Sequence, residues 1–356
     1  MGNIYTPMKI FHFKDKVDSL PKEVETIEPP LHIRLKPING CNHRCRYCAY
    51  REDSLQLGKD MQISDSIPKE KMMEIVEDII DMGVKGVTFS GGGEPLFYPH
   101  LVDVLKRLVD SPVRFATLTN GGLLKGEVAE LFAMHGSWVR VSMDGWDNAS
   151  YSRYRGVQDG EYDTILANMA AFKKYGGPCK LGVSYIVDKE NVGHIFDAAK
   201  NVRDMGVDSV KISPCIVENE GSANNAYHAP FFDLAREQVD RVMKELAGPD
   251  FEVFDAYHLL DERFDKEYTW CPYIQVLPVI GADQNVYSCQ DKAYNLEEGL
   301  IGSIKEKSFK EFWFDDKEKF FAINPSCHCN HHCVANAKNK LLLDYLDADQ
   351  EHLGFV

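Results

Sequence analysis

Three closely spaced cysteines are the residues of this sequence best suited to chemistry. Cys41, Cys45 and Cys48 lie within the segment CNHRCRYC. If this loop wraps around a metal centre, its three thiolates can hold three irons of a [4Fe–4S] cluster and leave the fourth iron open for another ligand, much as a catalytic zinc keeps an open position. Two alternatives stay open, a zinc knuckle with His43 as the fourth ligand and three unrelated buried cysteines.

A second group of cysteines lies near the carboxyl end of the chain. It consists of Cys271, Cys289, Cys327, Cys329 and Cys333. The segment GADQNVYSC predicts a β-hairpin with its turn at residues 283–285, which would bring the last cysteine of this segment towards the distant CHCNHHC loop. Zinc is an alternative to iron here, because His328, His331 and His332 stand beside the thiolates.

The elements that must position these cysteines follow an alternating pattern. From about residue 31 to 217, β-rich runs alternate with amphipathic helical stretches, which is typical of parallel βα units. The six predicted strands begin at Leu31, Val84, Val113, Trp138, Lys180 and Ser209. Helices are predicted over 68–82, 195–205 and 231–246. Six strands indicate an incomplete barrel, although the pattern alone also permits a doubly wound sheet. In either fold the functional loops follow the carboxyl ends of the strands, where the first cysteine group stands.

The spacing CxxxCxxC after the first strand, with the aromatic Tyr47 before the third cysteine, resembles the radical SAM superfamily. The resemblance implies that a [4Fe–4S] cluster on Cys41, Cys45 and Cys48 binds S-adenosylmethionine (SAM) through its open iron, and that Tyr47 belongs to the cofactor site. An electron from the cluster would then cleave SAM to a 5′-deoxyadenosyl radical. The fold that the resemblance implies is α/β, with a partial (β/α)6 TIM-like barrel.

The same resemblance implies SAM-binding residues in the loops after the next strands. They are Gly92, Gly93 and Glu94 of SGGGEPL, Asn120 after the third strand and Ser142 after the fourth. Arg155 in SRYRG is similar to the family arginine that pairs the methionyl carboxylate, and Arg153 is its rival. From the residues alone, such glycine-rich and short polar segments are equally typical of ordinary turns.

The C-terminal cysteines, with the segment IGSIKEKSFKEFW among them, resemble the SPASM and twitch accessory domains of radical SAM enzymes. The resemblance implies a second, auxiliary [4Fe–4S] cluster. Its implied ligands are Cys271, Cys289, Cys329 and Cys333, with Cys327 as a substitute for Cys329. Gln284 stands where the family has a glycine, which leaves the geometry of the turn open. Four thiolates would make this cluster closed and suited to electron transfer.

Changes in composition divide the chain into five predicted segments. They are an N-terminal extension, 1–30; the partial barrel, 31–230; a linker helix region, 231–267; a small Cys-rich twitch/SPASM-like domain, 268–340; and a C-terminal tail, 341–356. The extension is too short for a separate peptide-binding domain, which favours a small metabolite over a peptide as the substrate.

Composition and charge argue against several classes of protein. The formal net charge of −15, without clustered Lys and Arg, argues against a nucleic-acid-binding surface. No apolar run reaches the length of a signal peptide or a membrane span, so we expect a cytoplasmic protein that does not bind a membrane. In that reducing compartment, ten cysteines favour metal ligation over disulfides.

The reaction expected from these features is a radical oxidation. We expect hydrogen abstraction from a small polar substrate, sugar- or cyclitol-like, and two-electron oxidation of a hydroxyl-bearing carbon, because a closed second cluster can accept an electron. The resemblance implies a low-potential electron donor of the flavodoxin or ferredoxin type as partner. Three alternatives stay open: an epimerase in which Cys215, at the end of the sixth strand, returns a hydrogen atom; a peptide-modifying enzyme; and a non-catalytic iron–sulfur carrier or zinc scaffold.

Overall fold

The computed structural model describes residues 6–52, 55, 57–258 and 266–355 of the chain. Its strands, in chain order, are β1 His32–Leu35, β2 Gly86–Phe89, β3 Arg114–Thr119, β4 Trp138–Ser142, β5 Lys180–Val187, β6 Ser209–Pro214, β7 Glu252–Asp255, β8 Val279–Ile280, β9 Asn285–Tyr287 and β10 Leu300–Ser303. They form one sheet in the order β10-β9-β8-β1-β2-β3-β4-β5-β6-β7. All six strands predicted from the sequence form, as β1 to β6.

The helices alternate with the strands of the barrel and continue into the C-terminal region. They are α1 Lys14–Asp18, α2 Lys69–Asp81, α3 Leu101–Val109, α4 Gly126–His135, α5 Asn148–Arg155, α6 Glu161–Lys174, α7 Ile195–Asp204, α8 Gly221–His228, α9 Phe232–Glu245, α10 Tyr273–Val276, α11 Phe309–Asp315, α12 Pro325–His328 and α13 Asn336–Leu346. The three helices predicted from periodicity are α2, α7 and α9. In α2 the spacing of Met72, Ile75, Val76 and Ile79 buries one face against the sheet. Among the described helices, none is both long and apolar enough to cross a membrane.

Strands β1 to β7 make up the barrel part of the sheet. Each pairs in parallel with the next along the chain, and at least one helix separates each pair. This order lacks the reversal that a doubly wound sheet requires, and within the described residues β7 does not close onto β1. The predicted partial (β/α)6 TIM-like barrel is therefore confirmed. The seventh strand, β7, was not predicted, because its four residues EVFD lie in a segment that the sequence marks only as a linker.

The C-terminal region continues the same sheet beyond β1. Strand β8 pairs with β1 in parallel, and β8 and β9 form the predicted hairpin. Gln284, in the turn of that hairpin, has a φ of 62°, so the left-handed conformation that the family glycine would adopt is kept by a glutamine. Because β9 runs antiparallel to β8 and β1, the chain returns past β1 before it reaches Cys289, whereas Cys41 follows the carboxyl end of β1.

The N-terminal extension lies against the C-terminal region. Lys317 Nζ donates to the carbonyl oxygens of Ser19, at 2.7 Å, and Pro21, at 2.8 Å, and Trp313 Nε1 donates to that of Glu28, at 3.0 Å. Nearby, Ile10, Val17 and Leu20 share a small apolar cluster with Val276 and Leu342. These contacts tie the first 30 residues to the cysteine-rich end of the chain.

Candidate functional site

The loop of residues 41–48, called here the cysteine loop, is anchored on the carboxyl end of α5. Arg44 N donates to the Arg155 carbonyl at 2.8 Å, and Arg46 N donates to that of Tyr154 at 3.1 Å. The last carbonyls of a helix lack hydrogen-bond donors within the helix. The backbone N–H groups of the cysteine loop act as the donors here. Gly156 ends α5 at a φ of 60°, and a Cβ there would meet the Arg44 carbonyl oxygen at 2.4 Å. A glycine is therefore required where helix and loop meet.

The predicted glycines after β2 pack against the other end of the cysteine loop. Gly93 N donates to the Ile38 carbonyl at 3.2 Å, and Glu94 N donates to the Gly40 carbonyl at 3.0 Å. A Cβ on Gly93 would meet the Gly40 oxygen at 2.0 Å, and one on Gly92 would meet the Asn39 side chain at 2.3 Å. Gly92 and Gly93 therefore let the loop after β2 pack closely against the residues immediately before Cys41. This packing helps to fix the position of that cysteine.

Glu94 and Asn120 connect the ends of β2 and β3 to the cysteine loop. One Glu94 carboxylate oxygen accepts from Leu96 N at 3.0 Å and Thr119 Oγ1 at 2.6 Å, and the other accepts from Asn120 N at 2.7 Å. Burial raises the pKa of Glu94, while the hydrogen bonds from Thr119 and Asn120 lower it. Asn120 Nδ2 in turn donates to Asn42 Oδ1 at 2.8 Å. Of the four or so lone pairs of the carboxylate, three are used by the protein itself.

Arg155 is held by a carboxylate that the sequence reasoning did not single out. Arg155 Nη2 and the Tyr47 hydroxyl both donate to one oxygen of Asp144, and Ile186 N donates to the other at 2.7 Å. Arg155 Nη1 also donates to Cys45 Sγ at 3.5 Å. Burial raises the pKa of Asp144, and the charge of Arg155 lowers it. Asp144 is the one acid in the segment SMDG after β4, next to the Ser142 that was chosen as the SAM contact.

The remaining predicted rim residues are spread around the carboxyl ends of the strands. Ser142 is half-buried beside Ser184 of β5. Arg153, the rival of Arg155, is largely exposed and pairs at 3.3 Å with Glu190, which also pairs with Arg46 of the cysteine loop at 2.7 Å. Cys215 follows β6, where its amide donates to the Val187 carbonyl at 2.9 Å, and burial raises the pKa of its thiol to about 12.

The donors around the cysteine loop fit an iron–sulfur cluster with an amino-acid ligand. The thiols of Cys41, Cys45 and Cys48 are all partly exposed at one rim. Several buried polar atoms near them lack a hydrogen-bond partner within the described residues, and they include Arg155 Nε, Tyr151 OH, Ser90 Oγ and both ring nitrogens of His43. A buried polar atom without a partner is costly, so these atoms suit a bound polar group.

His43 does not complete a zinc site with the cysteine loop. Its ring is buried, edge-on to Tyr151, with Nε2 at 3.6 Å from Glu161 Oε1. In the part of the chain that the structure describes, no set of three potential ligand atoms within 4.8 Å of one another includes His43. A tetrahedral zinc with Zn–S bonds of about 2.3 Å would bring its ligands closer than that.

The structure brings four of the five C-terminal cysteines together. Cys271 Sγ accepts from Asn339 Nδ2 at 3.1 Å, beside α13. Burial raises the pKa of Cys289 well above its ordinary value, and the nearby charges of Asp291, Cys333, Cys329 and Cys271 raise it further. Cys327, the suggested substitute, is exposed and lies 3.7 Å from Ser326 Oγ.

The spacing and charge around these four thiols suit a multi-iron cluster. In the described ranges the three potential ligand atoms gathered within 4.8 Å of one another belong to Cys289, Asp291 and His331, so no three cysteine sulfurs lie as close as the roughly 3.8 Å at which a single zinc would hold them. Three buried lysines, Lys36, Lys266 and Lys292, surround the group. Thiolates buried in a protein need such compensating charge.

A hydrogen-bonded bridge connects the two cysteine groups. Lys36 Nζ, which follows β1, donates to the Tyr50 hydroxyl and to the Gly91 carbonyl, the latter at 3.0 Å. Gln290 Nε2, next to Cys289, donates to the same hydroxyl of Tyr50, two residues after Cys48. The chain two residues after Cys48 and the chain one residue after Cys289 are therefore joined by a side-chain hydrogen bond.

Comparison with known proteins agrees with this arrangement. Residues 35–202 match the model of the Radical SAM superfamily. The chain is 28% identical over 223 residues to the pre-heme d1 synthase of Dinoroseobacter shibae, covering 62% of this chain and 52% of that protein. It is 22% identical over 332 residues to the cysteine-type anaerobic sulfatase-maturating enzyme of Clostridium novyi, covering 85% and 84%. The chain thus spans about half the length of the first relative and most of the second.

A solved structure shares the fold over most of the chain. The crystal structure of Streptococcus suis SuiB bound to the precursor peptide SuiA superposes with a TM-score of 0.62 at 16% identity, over 88% of this chain and 71% of that one. At this identity the likeness concerns the fold, which extends through the barrel into the cysteine-rich C-terminal region.

Proposed function

We propose that this chain, whose residues 35–202 match the model of the Radical SAM superfamily and whose fold is similar to that of SuiB, is a radical SAM enzyme with a SPASM/twitch-type C-terminal region that oxidises a peptide substrate. The observation that carries the proposal is the bridge of Lys36, Tyr50 and Gln290 between the two cysteine groups. Removal of a hydrogen atom leaves a carbon radical, and oxidation requires that one further electron and a proton depart. A second centre linked to the first could accept that electron, so it supports oxidation of the substrate over cleavage of SAM without substrate oxidation.

The cysteine loop would hold the first cluster through Cys41, Cys45 and Cys48. When bound there, the [4Fe–4S] cluster and SAM supply the 5′-deoxyadenosyl radical that abstracts hydrogen. The protein's part is to fix the loop between α5 and the glycines after β2, and to keep Arg155 oriented through Asp144. The unpartnered Nε of Arg155 supports its assignment to the methionyl carboxylate, which a guanidinium can bind through parallel N–H groups.

The C-terminal centre would accept the second electron. We assign its ligands among Cys271, Cys289, Cys329 and Cys333, and leave the exposed Cys327 outside the site. The buried lysines around these thiols favour an anionic centre and its reduced state. A low-potential donor of the flavodoxin or ferredoxin type would supply the first electron.

The relatives favour a peptide over a sugar or cyclitol. One of the relatives that align over most of both chains is named for maturing a sulfatase, and the SuiB structure holds a precursor peptide. We therefore propose a peptide, which the sequence left open as an alternative, in place of the small polar metabolite that the sequence favoured.

The proposal is tested by SAM cleavage and substrate turnover in three variants. Reconstituted protein with dithionite and SAM should produce 5′-deoxyadenosine, and Cys45→Ala should abolish it. Cys289→Ala should spare cleavage of SAM but stop oxidation of a peptide substrate. Cys327→Ala, the matched control at an exposed cysteine, should retain both activities.

Two results would contradict the proposal. Iron-loaded protein that makes no 5′-deoxyadenosine would support the non-catalytic carrier. Persistent cleavage in Cys45→Ala would refute the assignment of the cysteine loop.

An epimerase is the second candidate, and Cys215 is the observation that favours it. Its buried thiol lies at the carboxyl end of β6, on the rim that carries the cysteine loop, and a pKa of about 12 keeps it protonated at neutral pH. A thiol can return a hydrogen atom to a carbon radical. Turnover in D2O distinguishes the two reactions: an epimerase places deuterium on the product carbon and loses this in Cys215→Ala, whereas an oxidase does neither.

A further inference from the structure

His331 is a buried polar side chain to which the proposed function gives no role. Its ring is 4% exposed, and within the described residues neither ring nitrogen has a hydrogen-bond partner. A neutral imidazole carries one donor and one acceptor, and leaving both without partners inside a protein is unfavourable. Such a side chain persists where a bound group occupies its nitrogens.

The ring faces two groups that can complete a metal site. A ring nitrogen of His331, the Cys289 sulfur and a carboxylate oxygen of Asp291 lie within 4.8 Å of one another. Across the described ranges, no other three ligand atoms of His, Cys, Asp or Glu are gathered as closely. Thiolate and imidazole nitrogen are both ligands that iron–sulfur clusters accept.

The backbone of this loop is fixed by the same buried lysines that surround the thiols. Lys266 Nζ donates to the carbonyl of His331, and Lys292 Nζ donates to that of His328. These two contacts fix the backbone that carries the imidazole.

The carboxylate of Asp291 explains how both ring nitrogens could be used. A histidine bound to a metal through one nitrogen commonly donates its other N–H to a carboxylate, which fixes the tautomer and the ring orientation. Asp291 is the carboxylate within reach of the ring, and its own charge is balanced by Arg34. Ligation through one nitrogen and donation through the other would satisfy both atoms at once.

We propose that His331 is a ligand of the C-terminal metal centre, with one ring nitrogen on the centre that Cys289 also binds and the other donating to Asp291. The centre would then have three thiolates and one imidazole, so the histidine replaces one of the four cysteines assigned above. This inference rests on the proposed function, because it requires an iron–sulfur centre at this site. Replacing an anionic thiolate by a neutral imidazole raises a cluster's reduction potential, which suits a centre that accepts an electron from substrate.

The test is a nitrogen-coupling measurement on a full-length chain that retains only the C-terminal centre. Cys41, Cys45 and Cys48 are replaced by Ala, histidine is supplied with 14N or 15N, and the dithionite-reduced protein is studied by pulsed EPR. We expect a strong nitrogen coupling that changes on 15N-histidine labelling and is lost in His331→Gln. The neighbouring variant His332→Gln is the matched control and should keep it. A reduced centre without histidine-dependent coupling, or a coupling that survives His331→Gln, overturns the inference.

The reduction potential gives a second, independent result. His331→Cys keeps a ligand at the position and adds a negative charge, so its midpoint potential should fall below that of the unsubstituted centre. An unchanged potential in His331→Cys contradicts ligation by His331. The iron content separates the two levels of failure. A triple-Ala chain that binds no iron rejects the second centre and the proposed function together, whereas a loaded centre without nitrogen coupling rejects only the role of His331.

Discussion

Removing the charge of Asp144 tests how the SAM site is held together. Asp144 is fully buried and accepts hydrogen bonds from Arg155, Tyr47 and Ile186, while Arg155 is itself 5% exposed. In Asp144→Asn the side chain keeps its size, but Arg155 loses its counter-charge in a place that water does not reach. Breaking a buried ion pair by removing one partner costs about 3–5 kcal/mol.

That cost corresponds to a measurable fall in Tm. An unfolding entropy of about 2.1 cal/mol/K per residue gives roughly 0.75 kcal/mol/K for a chain of 356 residues. A loss of about 3–5 kcal/mol therefore lowers Tm by roughly 4–7 °C. The double variant Asp144→Asn/Arg155→Met should lose less stability, and so show a smaller fall in Tm, than Asp144→Asn alone, because no unpaired charge is left inside the protein.

The assay is thermal unfolding under anaerobic conditions, followed by far-UV circular dichroism, together with formation of 5′-deoxyadenosine. Asp204→Asn, in an exposed pair with Lys200 and Arg203, is the control and should not change Tm. Two results would refute this reasoning. One is a Tm of Asp144→Asn equal to that of the unsubstituted protein. The other is a fall in Tm in the double variant as large as the falls in the two single variants added together. In either case the buried ion pair would not be what positions Arg155.

Three further predictions concern the cysteine loop, the N-terminal extension and the hairpin. Gly93→Ala should lower the iron content of the first site, because its Cβ would meet the Gly40 oxygen at 2.0 Å, whereas Gly193→Ala, with open space around it, should not. Burial lowers the pKa of Lys16 from 10.5 to about 7, so between these values the unfolded chain binds more protons and stability rises with pH. In denaturant titrations from pH 7 to 9, Lys16→Met should remove a slope of at most about 1.4 kcal/mol per pH unit, and an unchanged slope contradicts the burial of this amine. Gln284→Gly should leave the fold intact and raise stability by up to about 1 kcal/mol, because its φ of 62° suits glycine; a lower Tm would contradict this.

The sequence predicts the barrel well because its signals are local. Each of the strands β1 to β6 carries a β-rich run, and α2, α7 and α9 carry a clear apolar face. Strand β7, which the sequence misses, lies in the predicted linker, and of its four residues only Val253 is buried. Its pairing is decided by contacts with β6, which lies far away in the sequence.

In the candidate site, too, the features with a local sequence signal could be predicted and those formed by distant contacts could not. Metal-ligand spacing is visible in the sequence, so both cysteine groups could be found from it. The partners of Arg155 could not, because Asp144, Tyr47 and Cys45 meet only through the fold. One usable signal was present: Asp144 is an acid at the end of a strand, where a buried arginine from the following helix can reach it.

The relation between the two cysteine groups follows from one pairing in the sheet. Because β8 adds to β1 in parallel, the chain leaving β1 towards Cys41 and the hairpin leading to Cys289 lie side by side. Lys36, directly after β1, then stands between Tyr50 of one group and Gln290 of the other. The hydrogen bond between Gln290, beside Cys289, and Tyr50, two residues after Cys48, is the structural reason for proposing oxidation over return of a hydrogen atom.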